Sequence, residues 1–128
     1  MRRFAGAALL VALAASASGA ADASSRSRSE QAKIDALLSQ MKGSDAVFVR
    51  NGKEYTGRKA ASHLKRKLAF AGSRVRTARD FIAGIATRSE ETGEPYRVRF
   101  RTGEVRPLSE WLEERLAASR RKGRSSRS

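Results

Sequence analysis

The chain of 128 residues contains no cysteine and a single histidine, His63. Without cysteine it can form no disulfide and carry no lipid attached to a cysteine at a cleavage site. A closed zinc site of the usual nitrogen and sulfur ligands is excluded as well, because only one imidazole is present. The sequence therefore predicts no metal site, no cofactor and a fold that is held by packing alone.

Motifs of the common hydrolases and nucleotide-binding proteins are also missing. No G-x-S-x-G, H-E-x-x-H or glycine-rich phosphate loop occurs. A hydrolase would need a nucleophile, a base and an orienting group, for which His63 could pair with a serine or threonine and with Asp80. We expect His63 instead to be half-buried and Asp80 to begin a helix, so no catalytic residue is predicted and the protein is not expected to be an enzyme. A small periplasmic hydrolase or transferase that uses His63 remains the alternative.

The N-terminus has the three regions of a secretory signal peptide. Arg2 and Arg3 precede an uncharged run over 4–15, and small residues follow. This run is shorter than the roughly 20 residues that a membrane-spanning helix needs. We expect residues 1–20 to be removed by cleavage after Ala20, with Ala23 as the alternative, by general secretion rather than the twin-arginine route. The mature protein is predicted to be soluble in the periplasm or outside the cell.

Acidic residues are few: 13 oppose 27 basic ones, for a formal net charge of +14. Residues 120–128 hold five basic residues, no acidic ones and otherwise only serine and glycine. Such a composition cannot bury enough apolar surface to order itself, so 117–128 is predicted to be a disordered basic tail. The arginine- and serine-rich segment over 21–29 is predicted to be a flexible lead-in. Residues 30–116 suffice for one small domain with one core.

Helix-like patterns begin the domain. A first helix is predicted from Ser29 or Glu30 to Lys42, with Gly43 after its end. Thr56 can cap a second helix that ends before Gly72. The spacing of three and four residues between apolar positions predicts the buried faces of both helices: Ile34, Leu37, Leu38, Met41, Ala60, Ala61, Leu64, Leu68 and Ala71.

Two further helices are predicted from their first turns. Thr77, with Asp80 three places on, resembles a capping box, and this helix should stop by Ser89. Ser109 can cap a last helix. Their inward faces are expected to hold Phe81, Ile82, Ile85, Trp111, Leu112 and Leu116.

Hairpin signals separate the helices. A strand over 46–50 is followed by Asn51 and Gly52, a pair suited to a type I′ turn, and the hairpin ends near Tyr55. A second strand over 96–100 alternates apolar residues with arginine.

A two-residue turn at Thr102 and Gly103 would place Arg101 opposite Glu104 and Phe100 opposite Val105. Pro107 would end that hairpin. The resulting order of helix, hairpin, two helices, hairpin and helix predicts a small α+β domain of about four helices with two short β-hairpins.

Five short blocks resemble an uncharacterised family of small exported bacterial proteins, number five-three-two-nine among the domains of unknown function. The blocks are FVRNGKEY over 48–55, HLKRK over 63–67, TARDFI over 77–82, TGEPYRV over 92–98 and WL over 111–112. The resemblance spans about 34–116. It implies a bacterial, exported, single-domain protein with no established activity, and it does not cover the basic tail.

The most localised binding signal is the run Arg97, Arg99 and Arg101. On a strand these side chains would project from one face at intervals of about 6.6 Å and could meet spaced anionic groups. An exposed strand also carries such charges simply because it is solvated, so the row remains a candidate anionic-ligand site. Ten further basic residues could enlarge this surface, depending on helix packing: those at 50, 53, 58, 59, 65, 66, 67, 74, 76 and 79.

A second candidate site is a cleft around His63. It would use Arg50 and Asn51 from the first hairpin, His63 and Lys67 from the second helix, and Tyr96 from the second hairpin. The loop glutamates Glu90, Glu91 and Glu94 are expected to be solvated and to compensate nearby arginines.

Charge and compartment together indicate the partners. A basic exported protein can meet anionic lipid headgroups, lipopolysaccharide phosphates, acidic glycans or an acidic protein face. No recognition helix or aromatic and basic RNA-binding motif is present, so nucleic acid is disfavoured. The sequence predicts an exported binding or accessory module of the bacterial cell envelope with an arginine-rich surface.

Overall fold

A computed structural model describes residues 26–127 of the chain. The predicted signal peptide over 1–20 and its cleavage sites at Ala20 and Ala23 lie outside the described residues. Four helices and four strands follow one another along the described part. They are α1 (Arg28–Gly43), β1 (Val47–Arg50), β2 (Lys53–Tyr55), α2 (Gly57–Ala71), α3 (Ala78–Gly84), β3 (Arg97–Arg99), β4 (Val105–Pro107) and α4 (Leu108–Arg127).

The four strands form one antiparallel sheet in the order β2-β1-β3-β4. The two hairpins join because β1 pairs with β3, with Phe48 opposite Val98. Both side chains are buried, whereas Arg97 and Arg99 alternate to the opposite, partly or fully exposed face. The helices therefore cover one face of the sheet, and the predicted α+β domain with two hairpins is confirmed.

One core cluster lies between the helices and the sheet. Ile34 and Met41 of α1, Leu64 of α2, Phe81 of α3 and Leu112 of α4 are each at most 2% exposed. Phe48 of β1 contacts Trp111 of α4 edge to face, with 5.9 Å between the ring centroids. The helical spacing of apolar residues in the sequence therefore predicted the buried faces correctly.

Capping residues begin and end the helices largely as predicted. The Thr56 hydroxyl accepts from the backbone N–H of Lys59 at the start of α2. Thr77 and Asp80 form a complete capping box at the start of α3. Gly72 ends α2 with φ of +58°, a conformation that glycine adopts without strain.

The first helix starts earlier than predicted, and the lead-in before it is held in place. Ser27 caps α1, which begins at Arg28. The Arg26 guanidinium donates to the carbonyl oxygens of Val75 at 2.7 Å and Gly72 at 3.2 Å. The prediction of a flexible segment is therefore wrong for residues 26–29, because these contacts tie them to the turn after α2.

The predicted turn of the second hairpin is wrong by one residue. Phe100 N–H donates to the Glu104 carbonyl at 2.9 Å, which closes a three-residue loop rather than a two-residue turn. Gly103 completes the loop with φ of +94°. Arg99 is consequently opposite Val105, and Arg101 does not lie opposite Glu104.

The last helix differs from the prediction at both ends. It begins at Leu108, whose N–H donates to the Tyr96 carbonyl at 2.9 Å, so Ser109 lies inside the helix and is not its cap. It also continues to Arg127 through the segment predicted to be disordered. Residues 117–126 are all exposed, but they extend a helix already nucleated by the packed residues Leu112 and Leu116, and alanine, arginine and lysine favour helix.

Among residues 26–127, no helix combines the length and the apolar character that crossing a bilayer requires.

Candidate functional site

A cleft of about 550 Å³ opens between α2 and the strands β1 and β3. Buried apolar residues from four elements form its floor: Met41, Phe48, Leu64 and Leu108. Polar and charged residues surround this floor: Arg50, Tyr55, Arg58, Lys59, Ser62, His63, Arg66, Tyr96 and Arg97. Five of these side chains are cations, and none of the lining residues within 26–127 carries a carboxylate. The cleft thus combines an apolar floor with a positively charged rim.

Arg50 reaches the cleft from the end of β1. Its Nη2 lies 3.4 Å from Glu91 Oε1, a carboxylate on an exposed side chain. Its Nε is buried and has no hydrogen-bond partner among residues 26–127. A buried donor without a partner costs free energy, so an acceptor supplied by a ligand would be favourable here.

His63 is half-buried on α2, as the sequence predicted, and it faces the same cleft. Burial lowers the pKa of its imidazole below the ordinary value of 6.5, and the positive charges of Arg50 and Lys67 lower this pKa further. Its Nε2 lies 3.5 Å from the hydroxyl oxygen of Tyr96, and the two rings meet edge to face. The imidazole is therefore neutral at pH 7 and can donate or accept a hydrogen bond.

Lys67 lies behind His63 and does not line the cleft. Its ammonium donates to the carbonyl oxygens of Ile85 at 3.0 Å and Arg88 at 3.2 Å, and to the Tyr96 hydroxyl at 3.0 Å. These three bonds use all three of its protons. Lys67 thus holds the segment after α3 and orients Tyr96, and the prediction that it contacts a ligand in the cleft is not supported by its position.

The Asn51 side chain bonds to other residues of the protein, as that of Lys67 does. With φ of +53° it occupies the first turn position of the β1-β2 hairpin, and Gly52 follows at +76°. Its amide nitrogen donates to Ser89 Oγ at 3.1 Å, and its amide oxygen accepts from Thr92 Oγ1 at 2.5 Å. Asn51 therefore ties the hairpin to the loop that follows α3 and is not a lining residue of the cleft.

The three arginines of the second hairpin do not form one row. Arg99 pairs with Glu54 at 2.9 Å, and Arg101 lies beyond the end of β3 and pairs with Asp45 at 3.3 Å. Arg97 is exposed, borders the cleft and has no ion pair among residues 26–127. Of the three, only Arg97 therefore joins the cations of the cleft.

Acidic side chains near this region have structural partners. Asp80 Oδ2 accepts from the backbone N–H groups of Arg76 and Thr77 and thus caps α3, so it does not orient His63. Glu90 lies 3.8 Å from the Lys67 ammonium. Across the described range, no group of three histidine, cysteine, aspartate or glutamate residues is placed to hold a metal ion.

Three basic residues of α2 line the cleft although the sequence analysis placed them only within a general basic surface: Arg58, Lys59 and Arg66. Lys59, His63 and Arg66 follow the i, i+4, i+7 spacing of one helix face, which was the signal available in the sequence. The apolar floor could not be found in this way, because its residues come from separate elements that meet only in the fold.

Comparison with known proteins adds a family but no activity. A relative in Salmonella typhimurium, described as the uncharacterized protein YfeK, is 41% identical over 68 residues. The match covers 52% of this chain and 57% of that relative, so the chain spans little more than half of the relative's length. No solved structure matches the chain. The model of a family of unknown function, DUF5329, matches residues 28–120, which include α1 to α3, the whole sheet and the packed part of α4. The chain therefore belongs to this family.

Proposed function

We propose that the protein is an exported binding module of the bacterial cell envelope, and that its cleft takes a small ligand with one anionic group and an apolar body. The observation that carries this proposal is the lining of the cleft, in which five cations and no carboxylate surround an apolar floor. The export step rests on the N-terminal pattern of the sequence.

The electrostatics of the rim favour an anion. Cations that share a cleft repel one another, and low-dielectric walls strengthen this repulsion. Burial is the largest cause of the lowered pKa of His63, and the positive charges of Arg50, Lys67 and Arg66 lower this pKa further. A bound carboxylate or phosphate would relieve the repulsion, and it could accept from the buried Nε of Arg50, which has no partner among residues 26–127.

The floor favours an apolar body next to that anion. Phe48, Leu64 and Leu108 line the cleft with carbon atoms although each is at most 3% exposed, and the volume of about 550 Å³ falls within the range of small-molecule sites. A fully hydrated anion such as inorganic phosphate would leave this floor unused. We therefore infer an amphipathic anion, for example a medium-chain carboxylate or alkyl phosphate.

Titration calorimetry with decanoate, decyl phosphate and inorganic phosphate tests the proposal. Arg50→Gln should weaken decanoate binding about tenfold, the effect expected when one charge-assisted hydrogen bond is lost. Arg101→Gln is the matched control, because its partner Asp45 lies outside the cleft lining and binding should not change. Equal losses in both variants, or no binding of either amphipathic probe, would contradict the proposal.

A small periplasmic hydrolase or transferase is the second candidate. It is favoured by one observation: a neutral, half-buried His63 faces the cleft beside Ser62. Hydrolysis of p-nitrophenyl decanoate that His63→Gln abolishes, with decanoate binding retained, would favour this function over binding alone.

A further inference from the structure

Phe70 lies near the C-terminal end of α2 and is 90% exposed. The other large exposed apolar residue of the described chain is Val105, at 50%. Single apolar residues on a surface are ordinary, so the exposure of Phe70 alone indicates nothing. Its setting is more informative, because it borders a groove of about 900 Å³ between α2 and α3.

The helix that carries Phe70 has charge of one sign. From Gly57 to Ala71 the sequence has five basic residues and no acidic one. Lys59, Arg66 and Phe70 lie on one side of α2, opposite the buried Leu64 and Leu68. Lys59 and Phe70 are about 16 Å apart along the helix axis. The outward face of α2 is therefore a basic stripe that ends in an aromatic side chain.

We propose that this face of α2, with Lys59, Arg66 and Phe70, adsorbs to an anionic phospholipid surface together with Arg74, which follows the helix and borders the same groove as Phe70. Phe70 enters the boundary between headgroups and acyl chains, and the three cations meet lipid phosphates. Basic side chains are attracted to an anionic lipid surface, and phenylalanine is among the residues that insert at the boundary between headgroups and acyl chains.

A lipid surface fits Phe70 better than a folded protein partner does. The side chain stands out from the surface at 90% exposure, so a protein would need a matching pocket, whereas lipid headgroups close around any protruding side chain. The two carboxylates that border the groove do not oppose adsorption strongly. Asp80 is engaged in the capping box of α3, and Glu90 lies 3.8 Å from the Lys67 ammonium.

The face that carries Phe70 adjoins the cleft. His63 and Arg66 line both the cleft and the groove beside Phe70. Adsorption would therefore bring the mouth of the cleft next to the lipid surface, where an amphipathic anion is concentrated. The membrane contact itself does not depend on the proposed ligand.

Vesicle co-sedimentation tests the proposal. The probes are vesicles of phosphatidylcholine with 30 mol% phosphatidylglycerol, and vesicles of phosphatidylcholine alone. The protein is the chain from Ala21, which retains every core residue from Ile34 to Leu116. Phe70→Ser should lower partitioning to the anionic vesicles about tenfold, since it removes the aromatic side chain that the lipid surface would bury. Val105→Ser, the control at the other exposed apolar position, should leave partitioning unchanged.

A second variant reports insertion directly. The native chain has one tryptophan, Trp111, which is 9% exposed. Phe70→Trp adds a tryptophan at the proposed contact, and its emission should shift to shorter wavelength with anionic vesicles only. The basic end of α4 can also attract anionic vesicles, and it is identical in all variants, so differences between them report on Phe70.

The outcomes separate this proposal from its rivals. Equal partitioning of Phe70→Ser and the native chain, with no emission shift of Phe70→Trp, would overturn it. A dimer without vesicles that Phe70→Ser dissociates would overturn it in favour of a second copy as the occupant. Decanoate binding should be unaffected by Phe70→Ser, so failure here and failure of the proposed cleft function are distinguishable.

Discussion

Gly57 begins α2 close to the backbone of Met41 in α1, and replacing it with alanine tests how the cleft floor is assembled. A Cβ atom at this position would lie 1.9 Å from the Met41 carbonyl oxygen and 3.3 Å from Phe48 Cε1. Ordinary contacts between such atoms are about 3.5 Å, so one of the backbones must move by more than about 1 Å. Met41 and Phe48 both line the cleft, which means that the same movement would distort its floor.

The cost can be isolated with Gly43→Ala as a control. Gly43 ends α1, and a Cβ there would meet nothing within 4 Å. Each glycine is a terminal residue of its helix and neither has a positive φ, so the backbone effect of alanine should be similar in the two variants. The difference between the variants therefore reports the overpacking term, about 1–3 kcal/mol or more, because the neighbour is backbone and not a flexible side chain.

Urea unfolding followed by the fluorescence of the buried Trp111 measures this difference. With the slope usual for a small domain, Gly57→Ala should unfold at a midpoint about 1 M lower than Gly43→Ala. Decanoate binding should weaken in Gly57→Ala and not in the control. If the two variants unfold at the same urea concentration, the close approach of α1 and α2 at Gly57 is wrong.

Three further perturbations address individual groups. Because burial and neighbouring cations lower the pKa of His63, the unfolded chain binds the additional proton below about pH 6.5, so the free energy of unfolding should fall as the pH drops through this region. Urea titrations at pH 7.5 and 5.5 measure this decrease, and it should disappear in His63→Gln. If the variant loses as much free energy of unfolding as the native chain does, other groups cause the decrease. Thr77→Ala removes one bond of the capping box and should cost about 1 kcal/mol, measured by the same unfolding experiment; no loss would mean that Asp80 alone holds the first turn of α3. Leu112→Ala opens a cavity in the core and should lower the free energy of unfolding by about 2–5 kcal/mol. Val105→Ala, at an exposed position, should change this free energy by less than about 0.5 kcal/mol.

The helices could be predicted because their signals are local. The spacing of Ile34, Leu37, Leu38 and Met41 marks one face of α1 without knowledge of what covers it. Thr77 satisfies backbone N–H groups only a few residues away, so the capping box is visible in the sequence.

Strand pairing was harder to predict than the helices, because a change of one residue in a loop shifts the register of the paired strands. The turn of the second hairpin was placed one residue off, since a two-residue and a three-residue loop with Gly103 share the same turn residues. The pairing of β1 with β3 joins positions about 50 residues apart, such as Phe48 and Val98, and no local signal indicates it.

The candidate site divides in the same way. Arg50, His63 and Tyr96 were predicted to share a cleft, and the fold brings them to one. Lys67 and Asn51 were predicted to join them, but their polar groups donate to carbonyl and hydroxyl oxygens of the loop after α3. Residue type predicted which side chains could bind an anion. It could not predict which of these side chains already bond to other groups of the protein.

The sequence by itself determined the buried faces of the helices, the caps of α2 and α3, the type I′ turn at Asn51 and Gly52, the excess of positive charge and the family. Each of these depends on contacts within a few residues or on composition. Only the tertiary structure decided that the two hairpins form one sheet, that Arg99 and Arg101 are paired with Glu54 and Asp45, and that the cations of α2 surround an apolar floor. These features depend on contacts between residues far apart in the chain, which form only when the helices pack against one face of the sheet.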